Sequence, residues 1–193
     1  MFKAFPHILF VSLFSTICFV LSGCGYNSIQ RLDEGVSASW SEVVNQYQRR
    51  ADLVPNLVNT VKGYAEHEKE VFDQVTEARS KVGTINVSAD VLNDEQALKR
   101  FQEAQASLSS ALSRLIAVAE NYPQLKADGA FRDLQTQLEG TENRITVARN
   151  RYIESVKEYN ITVRSFPSNL TSMLFGYKTK ANFTVENEKA ISS

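Results

Sequence analysis

Apolar positions recur along this chain at steps of three and four. Leu98, Phe101, Gln105, Leu108, Leu112, Leu115, Ala119 and Tyr122 follow that alternation, with only Gln105 polar. Phe131, Leu134, Leu138, Thr141, Ile145, Ala148, Tyr152, Val156, Tyr159, Val163 and Phe166 carry it further. Such spacing lays one apolar stripe along a long α-helix, as in bundles and coiled coils. Ile29, Leu32, Val36, Trp40, Val43, Tyr47, Ala51 and Val54 form an earlier stripe. Val58, Val61, Ala65, Phe72, Val75 and Val82 form a looser one.

Punctuation divides the stripes. Pro55 lacks an N–H and pushes Val54 away from helical geometry, so a break is expected at Asp52–Pro55. Arg49 and Arg50 then suit a helix C-terminus, and Pro55 suits the first turn of the next helix. The two resulting helices would be roughly 40 Å long each at 1.5 Å per residue. Between Gly83 and Asn93 the period is lost. Asn93-Asp94-Glu95-Gln96 resembles a capping box opening the third helix. Asn121-Tyr122-Pro123 closes it, Asp128-Gly129 opens the fourth, and Phe166-Pro167-Ser168-Asn169 ends that one. The expected fold is all-α: an antiparallel up-and-down four-helix bundle over 28–166. The alternative is a three-helix bundle with a kinked long first helix. An apolar segment at 167–183 and a polar, disordered tail at 184–193 would follow.

The first residues read as an address. Ile8 to Leu21 form an almost purely apolar run of about 14 residues, short for a spanning helix of roughly 20 and suited to a signal peptide. It ends in Leu21-Ser22-Gly23-Cys24, which resembles the lipobox of bacterial lipoproteins. Residues 1–23 are then a signal peptide, and the Cys24 thiol takes the lipid at the start of a short anchored stretch, 24–27. Acyl chains of the palmitate type, at about 0.8 kcal/mol per buried CH₂, would hold the protein on the membrane. Gly25 lacks the Asp that resembles an inner-membrane retention signal. The expected location is therefore the cell envelope, on the periplasmic face of an outer membrane where there is one. An uncleaved signal anchor is the competing reading.

Composition narrows the remaining options. The 193 residues are 43% hydrophobic and 22% charged with a net charge of −1, a globular balance. A near-neutral chain makes nucleic acid an improbable partner. With 8 Gly and 4 Pro, an architecture of many short strands is disfavoured.

Longer blocks resemble the LemA family. They are Trp40-Ser41-Glu42-Val43, Gln46 through Val58, Val61-Lys62-Gly63-Tyr64-Ala65, Ala119 through Lys126, Leu138 through Ile145, and Phe166-Pro167-Ser168-Asn169. The resemblance spans about 26–183. It implies a membrane-anchored, extracytoplasmic helical bundle and supplies no activity. Family members are often encoded beside membrane proteins with a TPM domain, which implies one possible partner. Many members carry an N-terminal transmembrane helix where this chain has a lipobox.

No constellation here reads as catalytic. His67-Glu68 opens like a zinc-protease motif, but Val71 stands where the second His belongs. Glu139 and Glu142 share a helix face without the Glu-x-x-His pairs of a di-iron site. No cofactor and no metal are expected. Asn59, Lys62, Asn143 and Arg144 flank the stripes as candidate register-fixing contacts. Two functions remain. One is a non-enzymatic interaction or scaffold protein docking another envelope protein. The other is a ligand-binding or catalytic bundle using a pocket between helices. With the break at Pro55, the membrane-distal end would gather Arg49, Arg50, Asp52, Asn56, Glu120, Asn121 and Lys126 as a partner-docking set. The proximal end would gather Leu170, Met173, Leu174, Phe175 and Tyr177, suited to the bilayer surface or to covering the bundle's base.

Overall fold

A computed structural model describes residues 5–85 and 87–183, with side chains from Gly25 onward except at 86 and 89. The described residues are helical or irregular, with no strand. The helices are α1 (Phe5–Lys62), α2 (Lys69–Thr84), α3 (Glu95–Asn121), α4 (Pro123–Ala127), α5 (Gly129–Arg164) and α6 (Ser168–Phe175). A 3-10 turn at Ala89–Asn93 precedes α3. Start signals act where the residues put them. Asp94 accepts the N–H groups of Gln96 and Ala97 at 2.9 and 3.1 Å, and Asp128 accepts that of Phe131 at 2.9 Å. Each satisfies donors that an α-helix leaves unpaired at its N-terminus.

The expected break at Asp52–Pro55 is corrected by the structure: α1 runs through Pro55 to Lys62 and ends only at the 63–68 turn. Proline cannot donate to the carbonyl four residues earlier, here that of Ala51. Arg79 Nε from α2 donates to that oxygen at 3.1 Å. A neighbouring helix thus replaces the missing bond. Removing it should expose the defect. Arg79→Ala is expected to cost about 1–3 kcal/mol by leaving a buried acceptor unpaired. In a Pro55→Ala background, where residue 55 regains its N–H, the cost should shrink. Urea denaturation of the four proteins checks this, and an equal cost in both backgrounds would separate Arg79 from the proline.

The stripes become two cores. One joins Val54, Leu57, Val58 and Val61 of α1 to Phe72 and Val75 of α2, Leu108 through Ala119 of α3, and Phe131 and Leu138 of α5. The other joins Ile29, Val36, Trp40, Val43 and Tyr47 to Leu98 and Phe101, and to Ile145 through Val163. The N-terminal part of α1 thus shares a core with the C-terminal part of α5, and the C-terminal part of α1 with the N-terminal part of α5, so the two helices are antiparallel and form the principal pair. Helix α2 packs mainly on α3. Phe166, the last member of the α5 stripe, is 80% exposed.

The segment after α5 divides in two. Helix α6 packs on α1 and α5 at their shared end. Its cap is Gly176, at φ 75, a left-handed conformation that a Cβ would strain. The chain then lies as a strap across the bundle. Asn160 Nδ2 donates to the Lys180 carbonyl, and the Lys180 N–H donates to Asn160 Oδ1. The Ala181 N–H donates to the Leu92 carbonyl at 2.8 Å, and Tyr152 Oη donates to the Ala181 carbonyl at 2.7 Å. Phe183 is buried against Trp40 and Tyr152. The tail at 184–193 lies outside the described residues.

Candidate functional site

Three places gather polar or exposed apolar chemistry: the free end of α1, its middle, and its base. At the free end, the 63–68 turn meets the 121–128 connection. Ala65 and Leu125 are buried beneath them. Tyr64 Oη donates to Asp128 Oδ2 at 2.9 Å, and Tyr122 Oη donates to Glu68 Oε1 at 3.2 Å. Two tyrosine–carboxylate bonds thus join the two turns. The bond to Asp128 raises the Tyr64 phenol above its ordinary value. Burial, reinforced by Glu68, raises Tyr122. The Phe131 amide, then Tyr64, hold the Asp128 carboxyl below its usual range.

The sign of the last shift gives an acid-side expectation. A depressed folded pKa means that Asp128 contributes its full stabilisation above the ordinary carboxylate range and loses it as pH falls through the folded value. Thermal unfolding between neutral and acidic pH should show this loss. Asp128→Asn should flatten that part of the profile.

The seven residues expected to form a docking set are divided by the unbroken α1. Glu120, Asn121 and Lys126 lie exposed at the free end, beside Glu66 and His67. Arg49, Asp52 and Asn56 are exposed on the shaft, roughly 9–20 Å before Lys62 at 1.5 Å per residue. Arg50 is 1% exposed and faces inward. Its Nη1 donates to Ser109 Oγ and to Glu142 Oε1 at 2.6 and 3.0 Å. Its Nη2 donates to the Gln105 carbonyl and to Gln105 Oε1 at 3.0 and 2.6 Å. One guanidinium therefore ties α1, α3 and α5 at a single level. Asn59, Lys62, Asn143 and Arg144, read from sequence as register contacts, are exposed. The missed signal was Gln105, the one polar member of its stripe.

A cleft of about 440 Å³ lies where α2 ends, lined by Val44, Tyr47, Arg79, Val82, Phe101 and Gln105, among others. Two of its polar side chains are already engaged, Arg79 by the Ala51 carbonyl and Gln105 by Arg50. Among the described residues no three His, Cys, Asp or Glu side chains could jointly hold a metal ion.

At the base, Leu170, Met173, Leu174 and Phe175 of α6 are 57%, 81%, 79% and 58% exposed. Thr171 and Ser172 are the buried members of that helix. Tyr177, half-buried, donates from Oη to Gln30 Oε1 at 2.8 Å. The side chain of Cys24 lies outside the described residues; the backbone there is part of α1. Among the described residues, no helix is long and apolar enough to cross a membrane.

These features define an all-helical protein with its free end and base at opposite ends of one long helix. The chain belongs to the LemA family, whose sequence pattern matches residues 39–192. It is 26% identical over 193 residues to magnetosome protein MamQ 2 of Paramagnetospirillum magneticum, covering 91% of this chain and 71% of that protein. Against magnetosome protein MamQ of Magnetospirillum gryphiswaldense it is 26% identical over 188 residues, covering 89% and 69%. Protein LemA of Metamycoplasma hominis is 23% identical over 168 residues, covering 87% and 69%.

Proposed function

We propose that this protein is a non-enzymatic scaffold of the LemA type, anchored at its N-terminus on the extracytoplasmic side of a bacterial membrane. It docks another envelope protein with its free end. A TPM-domain membrane protein is the first candidate partner. The anchor is lipid on Cys24, and in an organism with an outer membrane the chain sits on its periplasmic face. One observation carries this reading: α1 is continuous from the anchor region to the 63–68 turn. From Gly25 to Lys62 it extends roughly 55 Å at 1.5 Å per residue, longer than the helix expected from a break at Pro55. Such a helix, paired along its length with α5, carries one exposed end away from the bilayer. The family and the names of its relatives support the reading, since none names a reaction.

Two experiments separate its parts. Cys24→Ser should leave an unprocessed, unlipidated precursor. A variant processed to the native mass, with native detergent partitioning, would refute the lipid anchor. Photo-crosslinking residues placed at Glu66 and Lys126, or at Arg49 and Asp52, should be activated in intact cells. Adducts with the TPM-domain protein from the first pair support docking by the free end. Adducts from the second pair alone move the interface to the shaft, and none from either removes the docking reading.

A further inference from the structure

Helix α6 is inverted relative to an ordinary surface helix. Its small polar side chains point into the protein. Thr171 and Ser172 are buried, and Ser172 Oγ donates to the Ser168 carbonyl at 3.0 Å. The approach to α1 is so close that a Cβ on Gly25 would lie 3.1 Å from Thr171 Oγ1. Leu170, Met173 and Leu174 stand three and four residues apart, which puts them on one outward face. Met173 and Leu174 are 81% and 79% exposed. Phe166, exposed, lies just before the helix, and Phe175 extends the patch by packing its ring on Tyr26 at 4.9 Å. A surface helix normally buries its apolar face and solvates its polar one. A contiguous exposed apolar patch marks a surface that something else covers.

The position of the patch identifies what covers it. Gly25 and Tyr26 follow Cys24 directly and lie two turns of helix or less beyond the apolar run Ile8–Leu21. Whether that run is removed after lipidation of Cys24 or retained as an anchor, the bilayer begins at this end of α1. Residues 165–177 contain no charged side chain, and the stretch is bounded by Arg164 and Lys178, both exposed. An uncharged apolar segment between two cations suits a lipid interface, with side chains among the upper acyl groups and cations at the phosphates.

We propose that α6 is a membrane foot. Leu170, Met173, Leu174 and Phe175, with Phe166 and Tyr26, lie in the interface of the leaflet that holds the chain's own N-terminus. An N-terminal tether alone leaves the bundle free to swing. A second contact at α6, fixed to the base of α1 through Gly25 and to α5 through the 165–167 turn, sets its tilt and so the height of its free end. The inference rests on the anchoring reading, and the test keeps the two apart.

The full chain, purified from membranes in mild detergent, is reconstituted into phosphatidylcholine–phosphatidylglycerol vesicles with brominated acyl chains, which quench nearby tryptophan. The native chain reports only from Trp40, 2% exposed and about 22 Å from Gly25 along α1. Leu174→Trp adds a reporter at the foot. Expected is at least a twofold quenching of the added emission, with Trp40 unchanged. Vesicle flotation without quenching at position 174 overturns the foot and leaves the anchor standing. Failure to float refutes the anchor. Emission from position 174 that depends on the protein-to-lipid ratio and not on bromine assigns the patch to a second copy, which also overturns the foot. Leu170→Ser/Met173→Ser/Leu174→Ser changes only exposed positions. It should broaden the distance distribution between a dye at Lys126 and the membrane surface; an unchanged distribution would deny α6 its part in setting tilt.

Discussion

Arg50→Ala should destabilise the fold by about 3–5 kcal/mol, the range for breaking a buried charged network from one side. The guanidinium makes four hydrogen bonds to Ser109, Glu142 and Gln105, and it lies 5.0 Å from the centre of the Tyr47 ring. Its loss leaves the buried Gln105 side chain without its donor. The cost should be asymmetric. The Glu142 side chain is 44% exposed, so water solvates part of its charge and Glu142→Gln should cost only about 1 kcal/mol, the amide oxygen still accepting. Glu142→Ala should fall between the two. Equilibrium urea unfolding measures all three. Arg50→Ala within 1 kcal/mol of the native chain would mean that the desolvation of Arg50 cancels its bonds. The network sits where α1, α3 and α5 meet at one level. Its loss should therefore also loosen the register that holds the free end and the base in fixed relation.

Trp40→Ala is expected to cost a further class of contacts, also about 3–5 kcal/mol. The indole is 2% exposed and lies 5.2 Å from Phe101, 5.5 Å from Tyr152 and 6.3 Å from Phe183, centre to centre. Its Nε1 donates to the Val87 carbonyl at 3.0 Å, which pins the loop before α3. The cavity would open under the strap, so the damage should spread there first. Limited proteolysis should cut between Tyr177 and Phe183 in Trp40→Ala well before it cuts the native chain. Trp40→Phe should retain most of the packing and release only the loop. Unchanged protection of the strap in Trp40→Ala would show that Asn160, Tyr152 and the Lys180–Asp33 ion pair, at 2.8 Å, hold it without the indole.

The periodic part of this protein was legible in its sequence. Stripes at three- and four-residue steps depend only on helical geometry and on the removal of apolar area from water. Ile29 through Val54, Leu98 through Ala119 and Phe131 through Val163 accordingly became the buried faces of α1, α3 and α5. Asp94 and Asp128 were legible for a related reason, since a cap acts on N–H groups two or three residues away. The family blocks were legible as local patterns, and the match over 39–192 places the chain in the LemA family.

What the sequence alone did not determine was decided by groups far apart in the chain. Pro55 states a break in local terms, yet α1 continues through it, and Arg79 from another helix donates to the Ala51 carbonyl that proline leaves without its bond. Arg50 looked like a helix-terminal cation by its neighbours, and it is buried because Ser109, Gln105 and Glu142 receive it from two other helices. The segment 167–183 had one apolar character, yet it divides at Gly176 into a helix facing outward and a strap facing inward. Hydropathy is a property of residues, whereas the side on which α6 lies was settled by the fit of Thr171 against Gly25, 146 positions apart.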